Sequence, residues 1–128
     1  MSAQRSSFEK FARLLAEGKP LEAMERFYGD EIVVFENREL ARAGKAACLA
    51  HERELLARQP GPISFKVLKS AFDEKSGAAF LEYVVRFAGA DGRPMRLEEV
   101  AAQRWSEGTI SEERFYYEGI VDEGNEPA

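Results

Sequence analysis

Apolar positions follow a helical period in the first half of the chain and a strand period after Pro60-Gly61-Pro62. Phe8, Phe11 and Leu15 recur at helical spacing, and Ser6 with Glu9 has the form of a capping box, so a first helix is predicted from Ser6. Gly18 ends it, and Pro20 opens a shorter second helix through Leu21, Met24 and Phe27. Gly29-Asp30 then leads into the β-branched run Ile32-Val33-Val34-Phe35-Glu36, which reads as a strand. A polar connection from Asn37 precedes a third helix, Lys45 to Arg58, stopped by Gln59-Pro60-Gly61-Pro62. Beyond it Ile63, Phe65, Val67 and Ala71 alternate with polar residues as far as the turn Asp73 to Gly77. The next strand has Ala79, Leu81, Tyr83, Val85 and Phe87 on one side and Phe80 and Val84 on the other. Asp91-Gly92 turns the chain again, and two long strands joined at Ser106-Glu107-Gly108 complete a four-stranded antiparallel meander. The predicted class is α+β, with three N-terminal helices packed on a curved antiparallel sheet.

The last two strands combine polarity with apolar bulk on one face. Leu97, Glu99, Ala101, Gln103 and Trp105 share a side by alternation, as do Glu113, Phe115 and Tyr117. A face of Trp, Phe and Tyr with Glu and Gln is too polar for a plain core and too apolar for a solvated surface. That composition suits the wall of a small-molecule pocket. The opposite register would instead turn Glu98, Val100 and Ala102 inward. The other face of the middle strands is also apolar enough to need cover, and a second copy of the chain would supply it, so a homodimer is expected.

With 128 residues, the chain is expected to form one domain over 1–128, with 1–5 and 122–128 frayed. Apolar runs are only a few residues long, so no membrane span is expected, and residues 1–5 show no secretory pattern. The single cysteine fits a reducing cytoplasm. A net charge of −5 without a basic cluster argues against nucleic-acid binding.

The helix pair broken at Gly18-Lys19-Pro20, the segment FYGDEIVVFEN and the segment QRWSEGTISEERFYYEG resemble the SnoaL-like branch of the NTF2-like superfamily over Phe8 to Tyr117. These are cystatin-like, cone-shaped α+β barrels that also include the ketosteroid isomerases. The resemblance implies a pocket between the helices and the concave sheet face. It also implies a general base at the end of the first strand, where this chain has Glu36. Two positions depart from the isomerases: Phe11 stands where they have the oxyanion-hole tyrosine, and Ala101 where they have its partner acid. Without those donors an enolate lacks stabilisation, so steroid isomerisation is not expected.

The expected catalytic residues are Glu36, as a base raised in pKa by a desolvated pocket, with Glu99 and Glu113 as acids. Asn37, Gln103, Trp105, Phe115 and Tyr117 are expected to bind ligand; the bland readings are a turn for Asn37 and a cross-strand pair with Arg104 or Arg86 for Glu113. Cys48 and His51, three apart on a helix with Glu52 beside them, lack an orienting third group and a full ligand set; packing for Cys48 and a rim or surface place for His51 are expected instead. No metal or cofactor is expected. Two functions remain open: a protein binding a small, partly apolar molecule for acid–base isomerisation, cyclisation or dehydration, and a non-catalytic module for ligand binding or dimerisation.

Overall fold

The computed structural model of the chain describes residues 2–124. The first helix, α1 (Ala3–Ala16), starts earlier than the capping-box pattern suggests, because the Ser2 hydroxyl accepts the Arg5 N–H at 3.0 Å and caps the helix there. Ser6 and Glu9 therefore lie inside it. Arg5 also reaches the Phe72 carbonyl and the Glu74 carboxylate, which ties the start of the helix to a distant hairpin. Helix α2 (Pro20–Phe27) begins at its proline as expected, and α3 (Lys45–Ala57) follows a short hairpin. Of the segments expected to fray, residues 3–5 form the first turn of α1, and residues 1 and 125–128 lie outside the described residues.

The strands are β1 (Tyr28–Glu36), β2 (Glu39–Ala43), β3 (Ser64–Phe72), β4 (Ala78–Ala88), β5 (Pro94–Ser106), β6 (Thr109–Tyr116) and β7 (Ile120–Asp122). They form one sheet in the order β2-β1-β6-β5-β4-β3, with β7 added on β5. The meander is as the alternation indicates, but the sheet is mixed, not purely antiparallel. β1 lies parallel to β6, with Val34 beside Glu113 and Glu36 beside Phe115. The sheet is curved and open rather than a closed barrel.

Three local features were not visible in the pattern. The polar connection after Asn37 is strand β2, which folds back on β1 through the two-residue turn Asn37-Arg38 with Asn37 at φ +55°. A bulge between Val67 and Lys69 shifts the phase of β3, so that Phe72 faces inward while Ala71 pairs with Phe80 on the other side. Strand β7 ends on Asp122, the first residue of the expected frayed tail, which pairs with Arg93.

Helices α1 and α2 cover one end of the concave face. Phe8, Phe11 and Phe27 pack edge-on or tilted against Trp105, with ring centroids 5.8–6.2 Å apart. This aromatic cluster fills the narrow end of the cone with Ile110, Ala79 and Leu81. The convex face keeps Leu68, Phe80 and Tyr116 about half exposed, at 47, 47 and 51%. Among the described residues, no helix is long and apolar enough to cross a membrane.

Gly77 closes the β3–β4 hairpin at φ +75°, and its carbonyl accepts the Trp105 N–H at 2.8 Å. A Cβ there would lie 2.4 Å from the Trp105 carbonyl oxygen, whereas one at Gly92, φ +84°, would meet nothing within 4 Å. Both substitutions to alanine carry the left-handed backbone penalty of about 1 kcal/mol. Gly77→Ala adds a backbone clash, so urea denaturation is expected to show a loss of about 3 kcal/mol or more against about 1 kcal/mol for Gly92→Ala. Equal losses would mean that the close approach to Trp105 does not constrain the hairpin.

Candidate functional site

A cavity of about 380 Å³ opens between the helices and the concave face, at the wide end of the cone. Strand alternation decides which side chains reach it. Glu36 ends β1, Glu99 lies in the middle of β5, and Glu113 and Phe115 lie on β6, all on the concave side. The inward register of Glu99, Ala101 and Gln103 is the one observed. Tyr28, Arg42, His51, Glu52, Tyr83 and Tyr117 complete the polar wall, and Leu15, Pro20, Met24, Leu55, Phe65, Leu97 and Ile120 supply apolar surface.

Glu36 is not the unpaired carboxylate that strand position alone suggests. Its Oε2 accepts from Arg42 Nη1 at 2.7 Å and its Oε1 from the Tyr117 hydroxyl at 2.6 Å. Burial pushes its pKa up, but the bonds from Tyr117 and Arg42 and the Arg42 charge outweigh burial and hold Glu36 below the ordinary carboxylate value. The hydrogen bond to Glu36 pushes Tyr117 up to about 12, with burial adding to it. Arg42 arrives on β2, the strand absent from the pattern reading.

Glu99 is the carboxyl with the perturbed titration. Its cross-strand partner in the β4–β5 register is Tyr83, whose hydroxyl donates to Oε1 at 2.8 Å. Burial raises Glu99; the Tyr83 bond opposes it, and the Glu113, Glu36 and Glu52 charges add to it, bringing the pKa to about 7. Among the described residues its second oxygen has no protein partner.

Glu113 is 2% exposed and forms the floor. It accepts from the Tyr28 hydroxyl and, at 2.6 Å, from Gln103 Nε2, while Trp105 Nε1 donates to Gln103 Oε1 at 2.8 Å. Indole N–H is a donor only, so the Gln103 amide has one possible orientation and presents its N–H groups to Glu113. Burial raises the Glu113 pKa against the Tyr28 and Gln103 bonds. Neither Arg104 nor Arg86 pairs with it; Arg104 faces Glu112 in register on the convex side. Tyr28 and Tyr83 are raised well above the ordinary phenol value, first by burial and then by the carboxylates beside them.

The structure thus brings Glu36, Glu99, Glu113, Phe115 and Tyr117 to one cavity. Gln103 and Trp105 stand behind the wall as supports for Glu113. Asn37 is exposed at the β1–β2 turn, outside the cavity wall, where its Oδ1 accepts the Tyr117 backbone N–H at 3.1 Å. Cys48 is buried in helix packing, with its thiol pushed up by burial. His51 lines the cavity, lowered first by burial and then by Arg42, so the imidazole is neutral at neutral pH. Among the described residues, no group of three or more His, Cys, Asp or Glu side chains is placed to hold a metal ion. Tyr83 is the residue most readily found in retrospect, since a hairpin centred on Asp91 sets it opposite Glu99.

The two outer carboxyls should respond oppositely to pH. Glu36 has a depressed folded pKa, so its contribution is full above the ordinary carboxylate value and disappears as pH falls through its folded pKa. Glu36→Gln is therefore expected to cost roughly 1–2 kcal/mol at neutral pH and little in acid. Glu99 has a raised folded pKa, so between 4.5 and about 7 the folded state binds the extra proton and stability falls as pH rises. Glu99→Gln removes that loss and should gain roughly 2–3 kcal/mol relative to the parent on going from pH 4.5 to pH 8. Denaturation of both variants from about pH 3 to pH 8 checks the assignment, and parallel pH profiles would defeat it.

No family model matches the sequence, and comparison with curated proteins gives no match. Solved structures do match. A protein named as a SnoaL-like polyketide cyclase from Jannaschia sp. CCS1 superimposes with a TM-score of 0.75 at 14% identity, covering 92% of this chain and 90% of that one. An NTF2-like protein of unknown function from Cytophaga hutchinsonii gives 0.73 at 16% identity over 91% and 100%. An LEH-like epoxide hydrolase from M. tuberculosis gives 0.70 at 15% identity over 90% and 82%. The chain has the SnoaL-like, NTF2-like fold.

Proposed function

We propose that the chain binds a small, partly apolar molecule in the conical cavity and moves a proton on it with Glu99, in an isomerisation, cyclisation, dehydration or ring opening. The observation that carries this reading is Glu99 itself: a carboxyl titrating near neutrality on a cavity wall, with one oxygen held by Tyr83 and the other without a protein partner among the described residues. A group with a pKa near the working pH is the efficient proton donor or acceptor. Glu36, ionised and clamped by Arg42 and Tyr117, is then a fixed negative charge that orients the ligand, and Glu113 holds the floor in place. Structural neighbours support the class, being named for polyketide cyclisation and epoxide hydrolysis, reactions that make or open rings.

One observation favours the rival, a ligand-binding module without catalysis: the Glu36–Arg42 ion pair is the kind of satisfied charge a structural wall would have. The discriminating measurement is turnover across pH for a panel of ring-forming and ring-opening substrates, some neutral and some amine-bearing. The expected profile is governed by a group titrating near pH 7, with the rate falling at least 100-fold in Glu99→Gln. Binding without turnover, unaltered by Glu99→Gln, selects the rival.

The same reading includes a second copy of the chain on the convex face. Leu68 and Tyr116 border a depression there with Val84 and Val100, and Phe80, exposed like the other two, lines a second depression that shares Tyr116. Sedimentation equilibrium at micromolar protein is expected to give twice the chain mass, and Phe80→Asp to give the monomer. A parent protein that sediments as a monomer would remove the dimer.

A further inference from the structure

We propose that the ligand is an amine, an apolar body with one protonated nitrogen that seats against Glu99 while the body lies toward the mouth. This rests on the reading of the cavity as a binding site and narrows the chemistry it accepts.

The argument is one of donors and acceptors. Each tyrosine on the wall gives its hydroxyl proton to its own carboxylate: Tyr28 to Glu113, Tyr83 to Glu99 and Tyr117 to Glu36. The Gln103 amide N–H is committed to Glu113, and Arg42 donates to Glu36. A ligand carbonyl or carboxylate would find only the remaining N–H groups of Arg42, whose charge is already paired with Glu36, and the His51 imidazole, against four glutamates. An ammonium group finds the reverse, since Glu99 keeps one oxygen without a protein partner and Glu52 makes no hydrogen bond or ion pair among the described residues. The apolar side chains are arranged for the rest of such a molecule. Leu55 and Ile120 are the exposed rim, at 41 and 57%, whereas Glu113 is the buried floor. An amine with a hydrocarbon body matches that gradient from apolar mouth to acidic interior.

Charge points the same way. Glu99 faces Tyr83 from β4, Glu113 from β6, Tyr117 after β6, Tyr28 and Glu36 from β1, Arg42 from β2, and His51 and Glu52 from α3. Arg42 is the one formal cation in that set, and it is bound to Glu36; the charges acting most strongly on Glu99 are the three other carboxylates. A bound ammonium would favour the ionised form, so Glu99 would release its proton on binding.

The test is calorimetry at pH 7 with cyclohexylmethylamine, cyclohexylmethanol and cyclohexanecarboxylate, three probes of similar size that differ in the polar group. The amine is expected to bind at least tenfold more tightly than the alcohol, with the carboxylate weakest. Repeating the amine titration in phosphate and in Tris, buffers with different ionisation heats, should show release of about half a proton per site, since Glu99 is about half protonated at that pH. Glu99→Gln should bring the amine to the alcohol's affinity and abolish the release, while Glu98→Gln on the convex face should change neither. The buffer comparison is made on the parent protein, so it stands even if the Glu99 variant folds poorly. Alcohol or carboxylate binding as tightly as the amine would overturn the amine assignment and leave the binding site intact. No binding by any of the three at millimolar concentration would overturn both.

Discussion

The parallel pairing of β1 with β6 is the constraint on which the cavity depends. It joins two segments far apart in sequence, and it sets the N-terminal half of the chain against the meander in a single register. With Val34 beside Glu113 and Glu36 beside Phe115, the inward side chains of β1 continue the row formed by β5 and β6. A slip of one residue would turn Glu36 to the convex side and leave Arg42 without its partner. Asn37 helps to pin that register at the strand end. Its N–H donates to the Phe115 carbonyl at 2.8 Å, its carbonyl accepts from Arg114 at 2.6 Å, and its side chain accepts from Tyr117. Its φ of +55° is the conformation in which asparagine is tolerated best among residues with a side chain. A residue expected to touch ligand instead fixes the strand that carries one of the carboxylates.

From that row, three glutamates of identical chemistry acquire different states. Glu36 lies nearest solvent and has both a cation and a phenol as donors, so it stays ionised. Glu99 is raised to about 7 by burial, with its one phenol opposing the shift and three like charges adding to it. Glu113 has two neutral donors but is fully enclosed, and burial dominates. The separation follows from how deeply each acid is buried and from how many donors its strand neighbours supply. Carboxyls pushed apart in this way can divide work between a fixed charge and an exchangeable proton.

Much of the fold was legible because its signals are local. Proline at the start of α2, the Gln59-to-Pro62 break and the period-two runs of β4 and β5 act within a few residues, and each appears where the pattern puts it. The misses share a different cause. β2 has only five residues with a polar composition, and it is a strand because β1 offers it an edge. β7 is shorter still, and is held by pairing with β5 and by ion pairs from Arg93 and Arg96. The β3 bulge leaves the composition unchanged and shifts only the phase. For the site, alternation identified the carboxylates on β5 and β6, but the state of Glu36 depends on Arg42, a residue on an element the pattern did not reveal. A pKa is a property of neighbours, and neighbours across a sheet are not written in spacing.

Folding physics alone gives no reason for this wall. Carboxyls enclosed by Phe11, Leu97 and Phe115 lose solvation, and apolar side chains of similar volume would fill the same space at no such cost. The helix end of the same concave face shows the alternative, because there Phe8, Phe11, Phe27 and Trp105 close on each other. One sheet face is thus packed at one end and hollow and acidic at the other, with the Trp105–Gln103–Glu113 chain crossing the boundary. That chain anchors the floor of the cavity in the rigid aromatic cluster, which keeps Glu113 from relaxing toward water. A wall that gives up burial energy and is also braced from behind is what binding or catalysis requires, and packing does not.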